Sequence, residues 1–133
     1  MNLLVADASA LVEVLLRTPQ AASLDPTLNH PEADLHIPAL CDIEIVSALR
    51  SGLRRELFPA WRAEEALQDY LDLPLTRHGH QGLVHRCLQL RDTLSAYDAS
   101  YVALAERLDA DLVTADRRLA RAARAVGVSC LPE

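Results

Sequence analysis

Residues 2–17, NLLVADASALVEVLLR, decide the fold class. Residues 2–6 form a short, mainly apolar run of strand length. From residue 9 to residue 17 the apolar positions change to helical spacing. A strand that passes directly into a helix opens an α/β unit. The same alternation continues along the chain. A short helix is expected within residues 20–28, among the punctuating Pro19 and residues 25–31, and a brief extended piece over 35–38. A helix over 40–51 is expected to end at Gly52, which suits the position just beyond a helix. Pro59 stands near the start of a helix running to about Tyr70, and residues 73–76 read as an edge strand because of Pro74. Gly79 and Gly82 precede a helix reaching about Leu94. A helix over 95–108, a strand over 111–114, a helix over 117–125 closed by Gly127, and a strand over 128–131 complete the series. Strands separated by helices predict an α/β fold with a parallel sheet covered on both faces. No repeat or linker divides the chain, so residues 1–133 are expected to form a single domain.

Composition narrows the chemistry. The 133 residues include 13 basic and 19 acidic side chains, for a net charge of −6, and all the basic residues are arginine. Without lysine there is no P-loop phosphate clamp, no Schiff base and no receiver-type active site. The acidic balance excludes a binder of nucleic acid that relies on overall charge alone; cations or local arginine clusters must supply the positive field. Half the residues are hydrophobic and only 4% are aromatic, which calls for a core of Leu, Ala, Val and Ile. No apolar stretch reaches the roughly 18 residues of a membrane span, and the start lacks the basic region of a signal peptide. Cys41, Cys87 and Cys130 are odd in number and lie in apolar company. They suit reduced thiols in a cytoplasmic protein.

Four acids stand at the ends of these elements. Asp7 follows the first strand in VADAS, and Asp116 follows the fourth in LVTAD. Asp98 lies near the start of a helix in SAYDASYVALAERL, and Glu44 lies within one in LCDIEIVSAL. Taken singly, each aspartate reads as a helix cap, and Ser95 with Asp98 fits the capping-box spacing. Glu44 is different: its helical neighbours are uncharged, so a cation or a hydrogen-bond donor should face it, an arginine being the plainest candidate. Together the four suggest a site at the carboxyl edge of a parallel sheet. Clustered carboxylates repel unless cations neutralise them, and Mg²⁺ or Mn²⁺ takes oxygen ligands of this kind. Such a cluster suits phosphodiester hydrolysis. Ser9 and Thr114 can orient a carboxylate or a bound water.

At these residues the chain resembles a PIN domain, and within that family the VapC toxins of bacterial toxin–antitoxin pairs. VADASALVEVLL is similar to the family's first strand and acid, PALCDIEIVSALR to the segment of the second, and LSAYDASYVALAERLDADLVTADRRLARAA to the C-terminal signature. The resemblance spans nearly the whole chain in the right order, while residues 51–83 carry little signature. It implies a three-layer α/β/α fold and a metal-dependent endoribonuclease. Catalytic and metal-ligating roles would fall to Asp7, Glu44, Asp98 and Asp116, with Mg²⁺ or Mn²⁺ as cofactor. It also implies an RNA substrate, a homodimer or toxin–antitoxin hetero-oligomer, and a small VapB-like antitoxin whose arginine can enter the acidic pocket. Where the family often has asparagine, three residues after the second acid, this chain has Ser47, a shorter hydrogen-bonding group.

Other residues have plainer readings. Arg86 and Arg91 precede the third acid and are candidate substrate contacts. Arg117, Arg118, Arg121 and Arg124 form one basic run and Arg50, Arg54, Arg55 and Arg62 another; a solvated helix face is the preferred reading of both. His78, His80 and His85 lack zinc-ligand spacing and read as surface or loop residues. Trp61 and Tyr70 suit packing or dimerisation. Two other functions compete with RNA cleavage. One is a metal-dependent DNA nuclease or phosphatase, since carboxylates and metals do not select the sugar. The other is a non-catalytic PIN-like module whose acids dock an arginine-rich partner.

Overall fold

In the computed structural model, which describes residues 2–133, the chain runs β1 (Asn2–Ala6), α1 (Ala8–Leu15), α2 (Ala21–Leu28), β2 (Ala33–Pro38), α3 (Cys41–Arg54), α4 (Ala60–Asp72), β3 (Leu75–His78), α5 (Val84–Gln89), α6 (Ala96–Leu108), β4 (Asp111–Val113), α7 (Arg117–Ala125) and β5 (Cys130–Leu131). The strands form one sheet in the order β3-β2-β1-β4-β5. All four pairings are parallel, with Val5 of β1 opposite His36 on one side and Leu112 on the other. The expected α/β architecture is present, as a three-layer α/β/α sandwich.

The strand order determines where a ligand can reach the sheet. From β1 the chain steps outward through β2 to β3, then returns across the sheet to β4 and continues to β5. The direction of winding therefore reverses between β1 and β4. Right-handed crossovers in opposite directions place their helices on opposite faces, which leaves a crevice at the carboxyl ends of the two central strands. On one face α1 packs against α2, α3 and α4; on the other α6 lies across β1, β2 and β4, with α5 beside it. Val5, Ala6, Ile37, Leu112 and Val113 are fully buried between these layers. In α6 every residue from Ala99 to Ala105 is buried. Such all-round burial suits a run rich in Ala and Ser, whose small side chains let neighbouring elements approach closely.

Several boundaries differ from those read in the sequence. The third helix does not stop at Gly52 but continues to Arg54, with Gly52 buried inside it. A Cβ at Gly52 would lie 2.3 Å from the Phe58 ring, so this glycine serves close packing rather than helix termination. The fifth helix ends at Gln89 rather than near Leu94: Leu90 turns into the core, and the following turn brings the chain to Ser95, the N-cap of α6. β3 is an edge strand, as Pro74 indicated, but begins after that proline. The three cysteines are free, and burial pushes the Cys41 thiol up to about 11. No described helix is long and apolar enough to cross a membrane.

Candidate active site

β1 and β4 end side by side, and a hydrogen-bonded knot joins them. The Asp7 backbone N–H donates to the Val113 carbonyl at 3.0 Å. The Asp7 carboxylate caps α1 by accepting from Ala10 N–H at 2.9 Å through Oδ1, while Oδ2 accepts from the Thr114 hydroxyl at 2.6 Å. The Ser9 hydroxyl donates to the same carboxylate and accepts from Ala115 N–H. Thr114 Oγ1 in turn accepts from Asp116 N–H at 2.9 Å. Asp116 caps α7 with Oδ1, accepting from Arg118 and Leu119 N–H. The capping reading of Asp7 and Asp116 is therefore correct, and compatible with a second role: one oxygen of each carboxylate serves the helix.

Asp98 is the third residue of α6, whose Ser95 hydroxyl accepts from Asp98 N–H in half of the expected capping box. Glu44 is the fourth residue of α3, and its partner is a tyrosine rather than an arginine: the buried Tyr101 hydroxyl donates to Glu44 Oε1 at 2.5 Å. Sequence reasoning missed Tyr101. Its signal was there, because Tyr101 lies three residues after Asp98 and hence on the same side of α6.

The charges of the four acids are felt from one to the next. Asp7 is 4% exposed; burial pushes its carboxyl up to about 6, opposed by the Thr114, Ala10 and Ser9 hydrogen bonds and aided by the charge of Asp116. Burial and the charge of Asp116 also raise Asp98, which Ser95 and Arg118 partly offset. Burial and the charge of Asp98 raise Glu44, with Tyr101 opposing. Uncompensated carboxylates in this relation favour a bound cation. Among the described residues, no three His, Cys, Asp or Glu side chains converge closely enough to enclose a common ion. The donor set is nonetheless all oxygen, as a hard divalent cation requires. Asp7, Asp98, Asp116 and Glu44 are thus a chemically suitable set in an open arrangement.

The remaining candidates lie elsewhere. Ser47 is exposed one turn after Glu44 and forms no hydrogen bond to it. Arg86 pairs bidentately with Glu106, at 2.8 and 2.9 Å, so a phosphate would have to displace that carboxylate. Arg91 is exposed and donates to the Leu88 carbonyl. His78 and His80 are held by hydrogen bonds, His78 to the His36 ring at 2.9 Å and His80 to Leu40 N–H. Tyr70 is a buried core residue bonded to Asp42, whereas Trp61 is exposed.

Comparison with known proteins shows the family and the fold. Residues 4–125 match the family described as PIN domain. The chain is 45% identical over 117 residues to ribonuclease VapC9 of Mycobacterium tuberculosis, covering 88% of each chain. It is 37% identical over 119 residues to ribonuclease VapC12 of the same species, covering 90% of this chain and 91% of the relative. The crystal structure of PAE2754 from Pyrobaculum aerophilum superposes with a TM-score of 0.70 at 26% identity, over 98% of this chain and 84% of that one. VapBC2 from Rickettsia felis, bound to a DNA fragment from its promoter, shares the fold at a TM-score of 0.68 and 13% identity, over 96% of each chain.

Proposed function

The chain belongs to the PIN-domain family and is closely related to the VapC ribonucleases, and from that premise we propose that it hydrolyses RNA phosphodiester bonds as the toxin of a toxin–antitoxin pair. The observation that carries this reading is the pair of acids Asp7 and Asp116, joined through Thr114 at the carboxyl ends of β1 and β4, with Asp98 on α6 and Glu44 on α3 near enough for their charges to be felt. The four residues would act as catalytic carboxylates and hold Mg²⁺ or Mn²⁺. When bound, such an ion supplies Lewis-acid polarisation of the phosphoryl oxygen and lowers the pKa of an attacking water. The protein's own part is orientation. Thr114 and Ser9 hold the Asp7 carboxylate in one pose, and Tyr101 fixes Glu44. With its carboxyl near 6, Asp7 is mostly ionised at neutral pH. Arg118 tempers the charge of Asp98.

The proposal includes a VapB-like antitoxin and self-association as a homodimer. Exposed apolar side chains on α3 and α4 and in the turn between them, among them Ile43, Val46, Leu57 and Trp61, support a protein partner. The test is cleavage of total RNA by purified protein with Mg²⁺ or Mn²⁺, with EDTA, and by Asp7→Asn and Asp98→Asn. Cleavage that needs the ion and both acids is expected. Metal-independent cleavage, or full activity in both variants, would refute the mechanism. Equal cleavage of single-stranded DNA would make the protein a general nuclease.

A further inference from the structure

A cavity adjoins the acidic edge. Its volume is about 830 Å³, and it shares Thr114 and Asp116 with the candidate site. Along one side run Arg117, Arg121 and Arg124 of α7; Gln20 and Ser23 stand on the α2 side, and Glu133 adds a negative group. The spacing of four and then three residues sets these arginines on one face of the helix.

What sets this cavity apart from an ordinary solvated helix face is its place beside Asp116. Arg62, Arg77 and Arg86 are each paired with a carboxylate, on Glu65, Asp42 and Glu106, whereas Arg54 and Arg55 at the end of α3 are as free of such pairing as the cavity's arginines but lie away from the acids. Arg124 is held by the carbonyls of Cys130 and Pro132. The exposed side chains of Arg117 and Arg121 make neither a hydrogen bond nor an ion pair with a described residue. In a protein with net charge −6, two guanidinium groups without an internal partner line a cavity next to Asp116.

We propose that this cavity seats the RNA nucleotide adjoining the scissile phosphate, with Arg117 and Arg121 gripping the strand's phosphates. The inference rests on the ribonuclease reading above. A phosphodiester engaged at the acids must carry its neighbouring nucleotides past Asp116, and the cavity opens there. Arg117 directly follows Asp116, and Arg121 stands about 6 Å further along the helix axis. Guanidinium groups bind phosphate bidentately and remain charged at any working pH. The volume falls within the range of pockets that hold small organic ligands, of roughly 300–1,000 Å³. A local pair of this kind also resolves how an acidic protein holds a polyanion.

The experiment compares Arg117→Ala/Arg121→Ala with the charge-matched control Arg54→Ala/Arg55→Ala. Cleavage kinetics are measured on total-RNA-derived oligonucleotides, and binding of a short fluorescent single-stranded RNA is measured in the Asp98→Asn background over a range of salt. For Arg117→Ala/Arg121→Ala, KM and Kd should rise about tenfold or more with kcat little changed. The slope of log Kd against log salt should fall by about 1.4, two contacts at roughly 0.7 each. The control should do neither. Equal losses in both pairs, or no loss in either while the unsubstituted protein cleaves RNA, overturns the cavity assignment alone. Absence of RNA cleavage and binding by the unsubstituted protein overturns the ribonuclease reading with it. Unchanged RNA affinity with lost binding of a poly-glutamate peptide assigns the cavity to an acidic protein segment instead, which also overturns the proposal.

Discussion

The Tyr101 hydroxyl donates a 2.5 Å hydrogen bond to Oε1 of Glu44, joining α6 to α3 at the acidic edge. Tyr101 is 1% exposed, so its aromatic ring belongs to the core and only the oxygen serves the site. Tyr101→Phe should keep the ring packing and release Glu44. Loss of an outer partner of this kind typically weakens metal affinity 10–100-fold. Titration of the variant with Mn²⁺, read by calorimetry, should show that loss. Unchanged affinity would mean that Glu44 does not contribute to ion binding.

Asp7 holds a charge at a cost to the fold. Its carboxyl is raised from 3.8 to about 6 in the folded state, so the folded chain binds this proton more tightly than the unfolded one. The resulting stabilisation is complete below about pH 3.8 and is lost as pH rises through about 6. In EDTA near pH 7, Asp7→Asn should therefore be more stable than the natural chain, by up to about 3 kcal/mol, while cleavage is abolished. Urea denaturation at acidic and neutral pH checks the sign: the difference should shrink on acidification, and a less stable variant at neutral pH would contradict it.

Divalent cations should reverse that cost. An ion that binds only the folded state adds about 2.7 kcal/mol at a hundred times its dissociation constant. Thermal melting should shift upward with Mn²⁺ and not with an equal ionic strength of sodium chloride. Asp116→Asn retains an oxygen to accept from Arg118 and Leu119 N–H, so it should keep the cap of α7 and blunt the shift. An undiminished shift would place the ion elsewhere.

Arg86 is expected to act in the fold. Its bidentate pair with Glu106 ties α5 to α6, but the arginine side chain is 37% exposed, which limits the pair to about 1 kcal/mol or less. Arg86→Ala should lower stability by that amount and leave RNA cleavage within about twofold of the natural rate. A tenfold loss of cleavage with normal melting would return Arg86 to the substrate.

The legible part of this protein was the part written locally. Residues 2–17 showed a strand entering a helix, and the caps Asp7, Ser95 and Asp116 act within three residues of themselves. Element order and the four acids at element ends could therefore be read along the chain. Gly52 could not be placed that way, because its role depends on Phe58 folding back across α3.

By itself, then, the sequence determined the alternating α/β order, the lysine-free chemistry and the acids available at the ends of β1 and β4. Only the tertiary structure decided which partner each charge meets: Tyr101 for Glu44, Glu106 for Arg86, and no described residue for Arg117 and Arg121. Capping and periodicity are properties of neighbours within about one helical turn. Pairings between α3 and α6, or α5 and α6, depend on how whole helices are set against the sheet, and that relative placement exists only once the core has packed.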